Sequence, residues 1–219
     1  MRLVLLLALS LALPVRAADL PGRALDGPWR LVGFDGLAEP AVTIDGCGVA
    51  LSGRGVVGIV YRVLAEGVPT ERLSWRWRVT SGPGATDLAR RGGEDRAIAV
   101  HVWYPAGDEG FLAGLGRRLA GLPAVGRAVS YVWGGDRPAG TILDNPFLDD
   151  AVQIVVAPAG TGGWRRVTAD VAADYRRAFG EAPPSRPRFL AVSGDTDDTG
   201  GFLDVAVADL AFEGGPDCS

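Results

Sequence analysis

The sequence predicts an all-β fold, a jelly-roll β-sandwich with one or two short helices, on three observations. About ten short apolar segments recur along the chain, turn residues separate them at intervals of roughly 8 to 12 residues, and helical spacing is confined to two stretches. The most regular segment is Leu73 to Val79, L-S-W-R-W-R-V, in which large apolar residues alternate with Ser74, Arg76 and Arg78. A side-chain period of two means one buried face and one wet face. Trp75 and Trp77 share the buried face and form a block around which other strands must pack.

Taking the chain in order, Trp29 to Phe34 is expected as the first strand, ahead of a turn at Asp35-Gly36. Ala41 to Ile44 and Val49 to Leu51 flank Asp45-Gly46, a dipeptide suited to tight hairpin turns. Val56 to Leu64 is a longer apolar run in which Gly58 signals a bulge or a close strand approach. The tryptophan strand follows, and after it a charged, Gly-rich loop from Ser81 to Glu94. Ala97 to Tyr104 is the next strand, with Ile98, Val100, Val102 and Tyr104 as its core face and Ala97, Ala99, His101 and Trp103 as the other. Phe111, Leu112, Leu115, Leu119 and Leu122 fall at helical spacing between Asp108, a cap, and Pro123, a stop, which predicts a short helical insertion.

Ala128 to Trp133 reads as a strand and Gly134 to Phe147 as a loop closed by Asn145-Pro146. Val152 to Val156 and Trp164 to Val167 are two more strands around a Gly-rich turn. Val171 to Phe179 is the clearest helix, capped by Asp170 and ended by Gly180. A strand from Phe189 to Ser193, the acidic loop Asp195 to Gly201 and a strand from Phe202 to Phe212 complete the chain, and pairing of the first and last strands would close the sandwich.

Met1 to Ala17 combines Arg2, a largely apolar run from Leu3 to Leu13, the breaker Pro14 and small residues at the end, the pattern of a secretory signal peptide. Residues 18–219 are then expected as a single β-sandwich domain. The apolar run is well short of the roughly 20 residues that span a bilayer, so the reading is a periplasmic or secreted protein without a membrane span. The formal charge is -4, and removal of Arg2 and Arg16 takes it to -4 - 2 = -6, which argues against nucleic acid as a partner. All 22 basic residues are arginine, a bias that together with 32 glycines reflects genomic base composition rather than phosphate recognition. Cys47 and Cys218, in a chain bound for an oxidising compartment, are expected to form a disulfide. Two cysteines and a single histidine are too few for a structural zinc site.

L-S-W-R-W-R-V, the Glu94-Asp95 to Tyr104 strand, S-Y-V-W-G at Ser130 to Gly134, D-Y-R-R-A-F-G-E at Asp174 to Glu181 and D-T-D-D-T-G-G at Asp195 to Gly201 occur in this order. The order resembles the bacterial domain of unknown function 3047 over roughly Trp29 to Phe212. That resemblance implies an exported jelly-roll sandwich similar to galactose-binding and carbohydrate-binding modules, and it carries no catalytic residue. The Asp108 to Pro123 insertion, the Asn145-Pro146-Phe147 loop and His101 depart from the family pattern, so no family activity is assigned to His101.

Three constellations could carry function. Asp195, Asp197, Thr199 and Gly200 occupy positions one, three, five and six of a calcium-loop pattern, whose bidentate Glu is replaced by Ala206, so the loop is a candidate structural calcium site or a network of Asx turns. Arg76 and Arg78 on one strand and His101 and Trp103 on another would form one patch if the strands were neighbours, suited to stacking a sugar ring and holding its hydroxyls. Hydrolysis needs two carboxylates roughly 5 to 9.5 Å apart, for which Asp95, Asp136, Asp144 and Asp174 offer acidity and loop position alone. A nucleophilic triad would rest on His101, without a G-x-S-x-G elbow, and no glycine loop leads into a helix to hold phosphate. The reading is therefore a non-catalytic exported module for a glycan or related small polar ligand. An envelope structural or protein-interaction role, through the apolar stripe of the insertion helix, is the alternative, and a glycan-active hydrolase the weaker one.

Overall fold

The computed structural model describes residues 22–105, 126–157 and 161–215. In chain order the elements are β1 (Arg23–Ala24), β2 (Arg30–Val32), β3 (Ala41–Asp45), β4 (Gly48–Arg54), β5 (Val57–Val63), β6 (Arg72–Ser81), β7 (Arg96–Trp103), β8 (Ala128–Trp133), β9 (Ile142–Asn145), β10 (Leu148–Ala157), β11 (Arg165–Asp170), α1 (Val171–Phe179), β12 (Phe189–Asp195) and β13 (Phe202–Phe212). They form a jelly-roll-like sandwich of two sheets. One sheet has eight strands in the order β1-β2-β5-β12-β7-β8-β10-β9, and the other has five in the order β11-β6-β13-β4-β3.

The five-stranded sheet lays β6 down as its alternation demands. Leu73, Trp75, Trp77 and Val79 are buried, and the residues between them face outward. Trp75 packs on Tyr131 with ring centroids 5.3 Å apart and Trp77 on Trp133 at 5.6 Å, so the two indoles couple β6 to β8 across the sandwich. Ile98, Val100 and Val102 of β7 reach the same core, as do Leu190 and Val192 of β12.

The central strands of the eight-stranded sheet are buried on both faces. Every residue of β8 and β12 is buried, and so is all of β7 after Arg96. Continuous burial of this kind marks a sheet covered on both sides rather than one facing water. On its outer side Leu88, from the loop before β7, packs on Ala99, Val132 and Val155.

Helix α1 has the predicted bounds. Asp170 accepts from the Ala173 N–H at 2.8 Å, and Gly180 turns the chain out of the helix in the left-handed conformation at φ 75°. Other expectations differ from the structure. Residues Gly134 to Phe147, read as loop, contain β9, which pairs with β10. Trp164 precedes β11 instead of opening it and is exposed. The predicted first and last strands do not pair: the strand read at Trp29 to Phe34 is β2 of the eight-stranded sheet, and β13 is the centre of the other sheet, between β6 and β4. The predicted insertion Asp108 to Pro123, the signal peptide and Cys218 lie outside the described residues.

Candidate functional site

The strand alternation that sends Val100 and Val102 into the core places His101 and Trp103 on the outer face of the eight-stranded sheet. There they line a cavity of about 470 Å³, within the size range of small-molecule sites. Trp103, Ala128 and Ala151 wall one part, and Phe147 and Leu37 stand exposed at its rim. Trp103 is held from behind by Tyr61 at 6.2 Å and Phe189 at 6.3 Å between ring centroids. At the rim Arg91 donates to the Pro146 carbonyl at 2.7 Å and lies over the Phe147 ring at 5.2 Å.

A row of polar groups crosses this apolar surface. The His101 Nδ1 lies 2.7 Å from Ser130 Oγ and its Nε2 2.8 Å from Ser193 Oγ. Arg96 donates to Ser193 Oγ at 3.4 Å. The neutral ring donates to one of the two hydroxyls and accepts from the other. Burial and, secondarily, the charge of Arg96 push the His101 pKa down to about 3, so the ring is neutral at physiological pH. Gln153, also buried in the wall, donates to the Leu88 carbonyl at 2.8 Å.

This arrangement holds the imidazole in a fixed orientation between two hydroxyls. Ser130 lines the cavity, whereas Ser193 is 1% exposed and does not. Imidazolium formation beside Arg96 is opposed by the same burial that lowers the pKa.

At one end the cavity is acidic, lined by Glu94, Asp195, Asp197 and Asp198 together with Arg96. Asp195 Oδ2 lies 3.5 Å from Arg96, while its Oδ1 and the Arg96 Nε are buried without a hydrogen-bond partner. Burial pushes the Asp195 carboxyl up to about 9; Arg96 opposes the shift, and Asp197 and Asp95 add to it. Asp198 is raised by desolvation and by the carboxylates of Glu94, Asp197 and Asp95, against Arg90. Fully buried Asp95 accepts the Asp198 N–H at 3.4 Å and the Thr199 N–H at 2.7 Å, tying the β12–β13 turn to the start of β7. Asp95, Asp197 and Asp198 can bring one oxygen each within 4.8 Å of the others. The predicted set of Asp195, Asp197 and Thr199 is thus rearranged. Thr199 joins through its backbone N–H, and Asp95 enters from about a hundred residues earlier.

Arg76, Arg78, His101 and Trp103 do not share a patch. β6 and β7 follow each other in sequence but belong to opposite sheets, so the arginines face outward from one side of the sandwich and His101 and Trp103 from the other. Arg76 pairs with Asp209 at 2.5 Å, and Arg76 and Arg78 lie 5.5 and 5.3 Å from the Trp164 ring. Arg76 borders a second groove of about 650 Å³ shared with Trp164 and the β3–β4 turn that carries Cys47. Of the four carboxylates considered for hydrolysis, none lines the first cavity. Asp136 pairs with Arg137, and Asp174 takes the Tyr131 hydroxyl and Arg177.

Sequence reasoning missed Ser130, Gln153 and Ser193. The available signal was a polar residue inside an apolar run, plainest at Ser130 in β8, which is costly unless the group is hydrogen-bonded or used.

A two-sheet β-sandwich with a ligand-sized cavity on the outer face of its larger sheet is the class that fold and site define. The chain belongs to the family described as Protein of unknown function (DUF3047), whose model matches residues 48–211. No curated protein matches it. Among solved structures it is similar to the enzymatically active domain of bacteriophage CBA120 tailspike protein 4, at 12% identity and a TM-score of 0.34 over 84% of this chain. It spans 19% of that tailspike chain. It is also similar to the family 11 xylanase from Neocallimastix patriciarum, at 10% identity and a TM-score of 0.32, covering 84% of this chain and 97% of that one. Likeness at this level does not bear on what the chain does.

Proposed function

We propose that the chain is an exported, non-catalytic binding module that holds a glycan or related small polar ligand in the cavity beside His101 and Trp103. The observation that carries this reading is the Ser130–His101–Ser193 row in an apolar-walled cavity of about 470 Å³. Apolar walls with a few polar groups of fixed direction suit a ligand that has both ring faces and hydroxyls. Base catalysis by His101 is disfavoured because burial lowers its pKa to about 3, which makes the imidazole a weak base.

Isothermal calorimetry with a panel of neutral and acidic oligosaccharides tests the proposal. A binder should lose about three- to tenfold in affinity in Ser130→Ala, the scale of one hydrogen bond, lose affinity also in Phe147→Ala, and be unaffected in Arg76→Ala. Binding that persists through both cavity variants, or a panel with no binder, overturns it.

The alternative role, docking to an envelope protein, draws on a different observation: Trp164 is 43% exposed between Arg76 and Arg78 on the opposite face. Exposed indole and arginine are the residues that dominate protein interfaces. Under that reading Trp164→Ala abolishes partner binding and Ser130→Ala leaves it intact.

A further inference from the structure

Strand register divides the floor of the cavity into a polar row and an apolar row. Across β7, β8 and β10, His101 pairs with Ser130 and Ser130 with Gln153. Two residues along each strand, Trp103 pairs with Ala128 and Ala128 with Ala151. Residues two apart on a strand share a face, so the rows run side by side about 7 Å apart. All six residues line the cavity.

The apolar row continues upward from the floor. Phe34 and Leu148 pack against the hydrophobic cluster that contains Trp103, Ala128 and Ala151, and both line the cavity. Above them Leu37 and Phe147 stand 45% and 39% exposed at the mouth. Exposed apolar side chains gathered at a concave opening mark a site of apolar contact.

We infer that the ligand of this cavity carries an apolar group, an alkyl chain or an aryl ring, which seats on the Trp103–Ala128–Ala151 row while its sugar hydroxyls meet the His101–Ser130–Gln153 row. The ligand class is then a glycoside with an apolar aglycone rather than a free oligosaccharide. The polar half of this inference rests on the glycan reading given above.

The distribution of polarity decides between the two classes. A pyranose face can stack on one indole, but the apolar surface runs beyond Trp103 over two alanines and up to Phe34 and Leu148. Hydroxyls of a second sugar laid there would lose water without gaining a partner. Water over the same row has few protein groups to bond, and its displacement by an apolar group gains affinity.

The test is isothermal calorimetry of the full chain with matched methyl, phenyl and octyl β-glycosides of glucose, galactose and N-acetylglucosamine, below the concentrations at which they form micelles. For a sugar that binds, the octyl or the phenyl member should bind at least about tenfold more tightly than the methyl one, the gain from burying two or more methylenes. Which of the two gains more tells an alkyl from an aryl group. Ser130→Ala should weaken the methyl and octyl members by the same factor and preserve their ratio. Ala151→Leu, which fills the apolar row, should bring the ratio close to one. The native-chain ratio decides by itself, so misfolding of a variant leaves the test intact. The inference is overturned if the phenyl and octyl members bind no more tightly than the methyl ones, if no member of the panel binds, or if the ratio persists in a folded Ala151→Leu chain. Equal binding of methyl and octyl members leaves the glycan reading standing. Octyl tetraethylene glycol ether binding as tightly as the octyl glycosides would instead sink the glycan reading and uphold the apolar row.

Discussion

The Trp77 and Trp133 rings meet edge to face across the sandwich, with centroids 5.6 Å apart and planes at 63°, joining β6 of one sheet to β8 of the other. Removing a fully buried indole leaves a cavity that close packing cannot refill. Trp77→Ala is therefore expected to cost about 3 to 5 kcal/mol in urea unfolding. Arg76→Ala, one residue away on the wet face, removes only an exposed ion pair and should cost less than about 1 kcal/mol. Equal losses from the two would contradict the assignment of faces.

His101 gives the fold a defined acid sensitivity. Its folded pKa, near 3, lies below the unfolded value of 6.5, so between those limits the unfolded chain binds a proton that the folded chain does not. Stability contributed by the neutral ring is complete above pH 6.5 and falls as pH drops through the window, by about 1.4 kcal/mol per pH unit. Carboxylates titrate in the same range, so the readout is the difference from His101→Gln, whose stability profile should be shallower by one proton. Identical slopes would mean that the imidazole is not held neutral.

Asp209 is the one described non-glycine residue at positive φ, 54°, in the stretch where β13 slips register against β6. That conformation costs an L-residue about 1 to 2 kcal/mol, whereas its exposed pair with Arg76 is worth roughly 0 to 1 kcal/mol. Asp209→Gly should accordingly leave thermal stability unchanged or raise it by up to about 1 kcal/mol. A loss larger than that would show that the pair outweighs the strain.

Cys47 is buried in the β3–β4 turn. Its expected bond to Cys218 would close a loop of most of the domain, for which the chain-entropy model gives about 4 to 5 kcal/mol. Mass spectrometry after alkylation without reductant should find no modified thiol, and reduction should lower the Tm. Two alkylated cysteines would remove the disulfide.

The tryptophan strand was legible because its period of two is a local property, and α1 because its caps are. The site was less so. The alternation of β7 shows which residues share a face, but the sheet that β7 enters depends on pairing with β12, almost ninety residues later, so the arginines of β6 and the His101–Trp103 pair were placed together when they lie on opposite sides. The same limit hid Asp95, whose link to Asp198 and Thr199 crosses a hundred residues. Covering of the outer face also masked the cavity. Where both faces of a strand are apolar, period two carries no information, and only the stray Ser130, Gln153 and Ser193 mark the side with chemistry.

His101 is the single histidine of the chain, so its imidazole resonances need no assignment and report directly on the cavity. Titrating an oligosaccharide that binds by calorimetry into untagged protein should shift the His101 ring signals along a curve with the same Kd. A ligand that binds with those signals unmoved would place the site elsewhere and contradict the account.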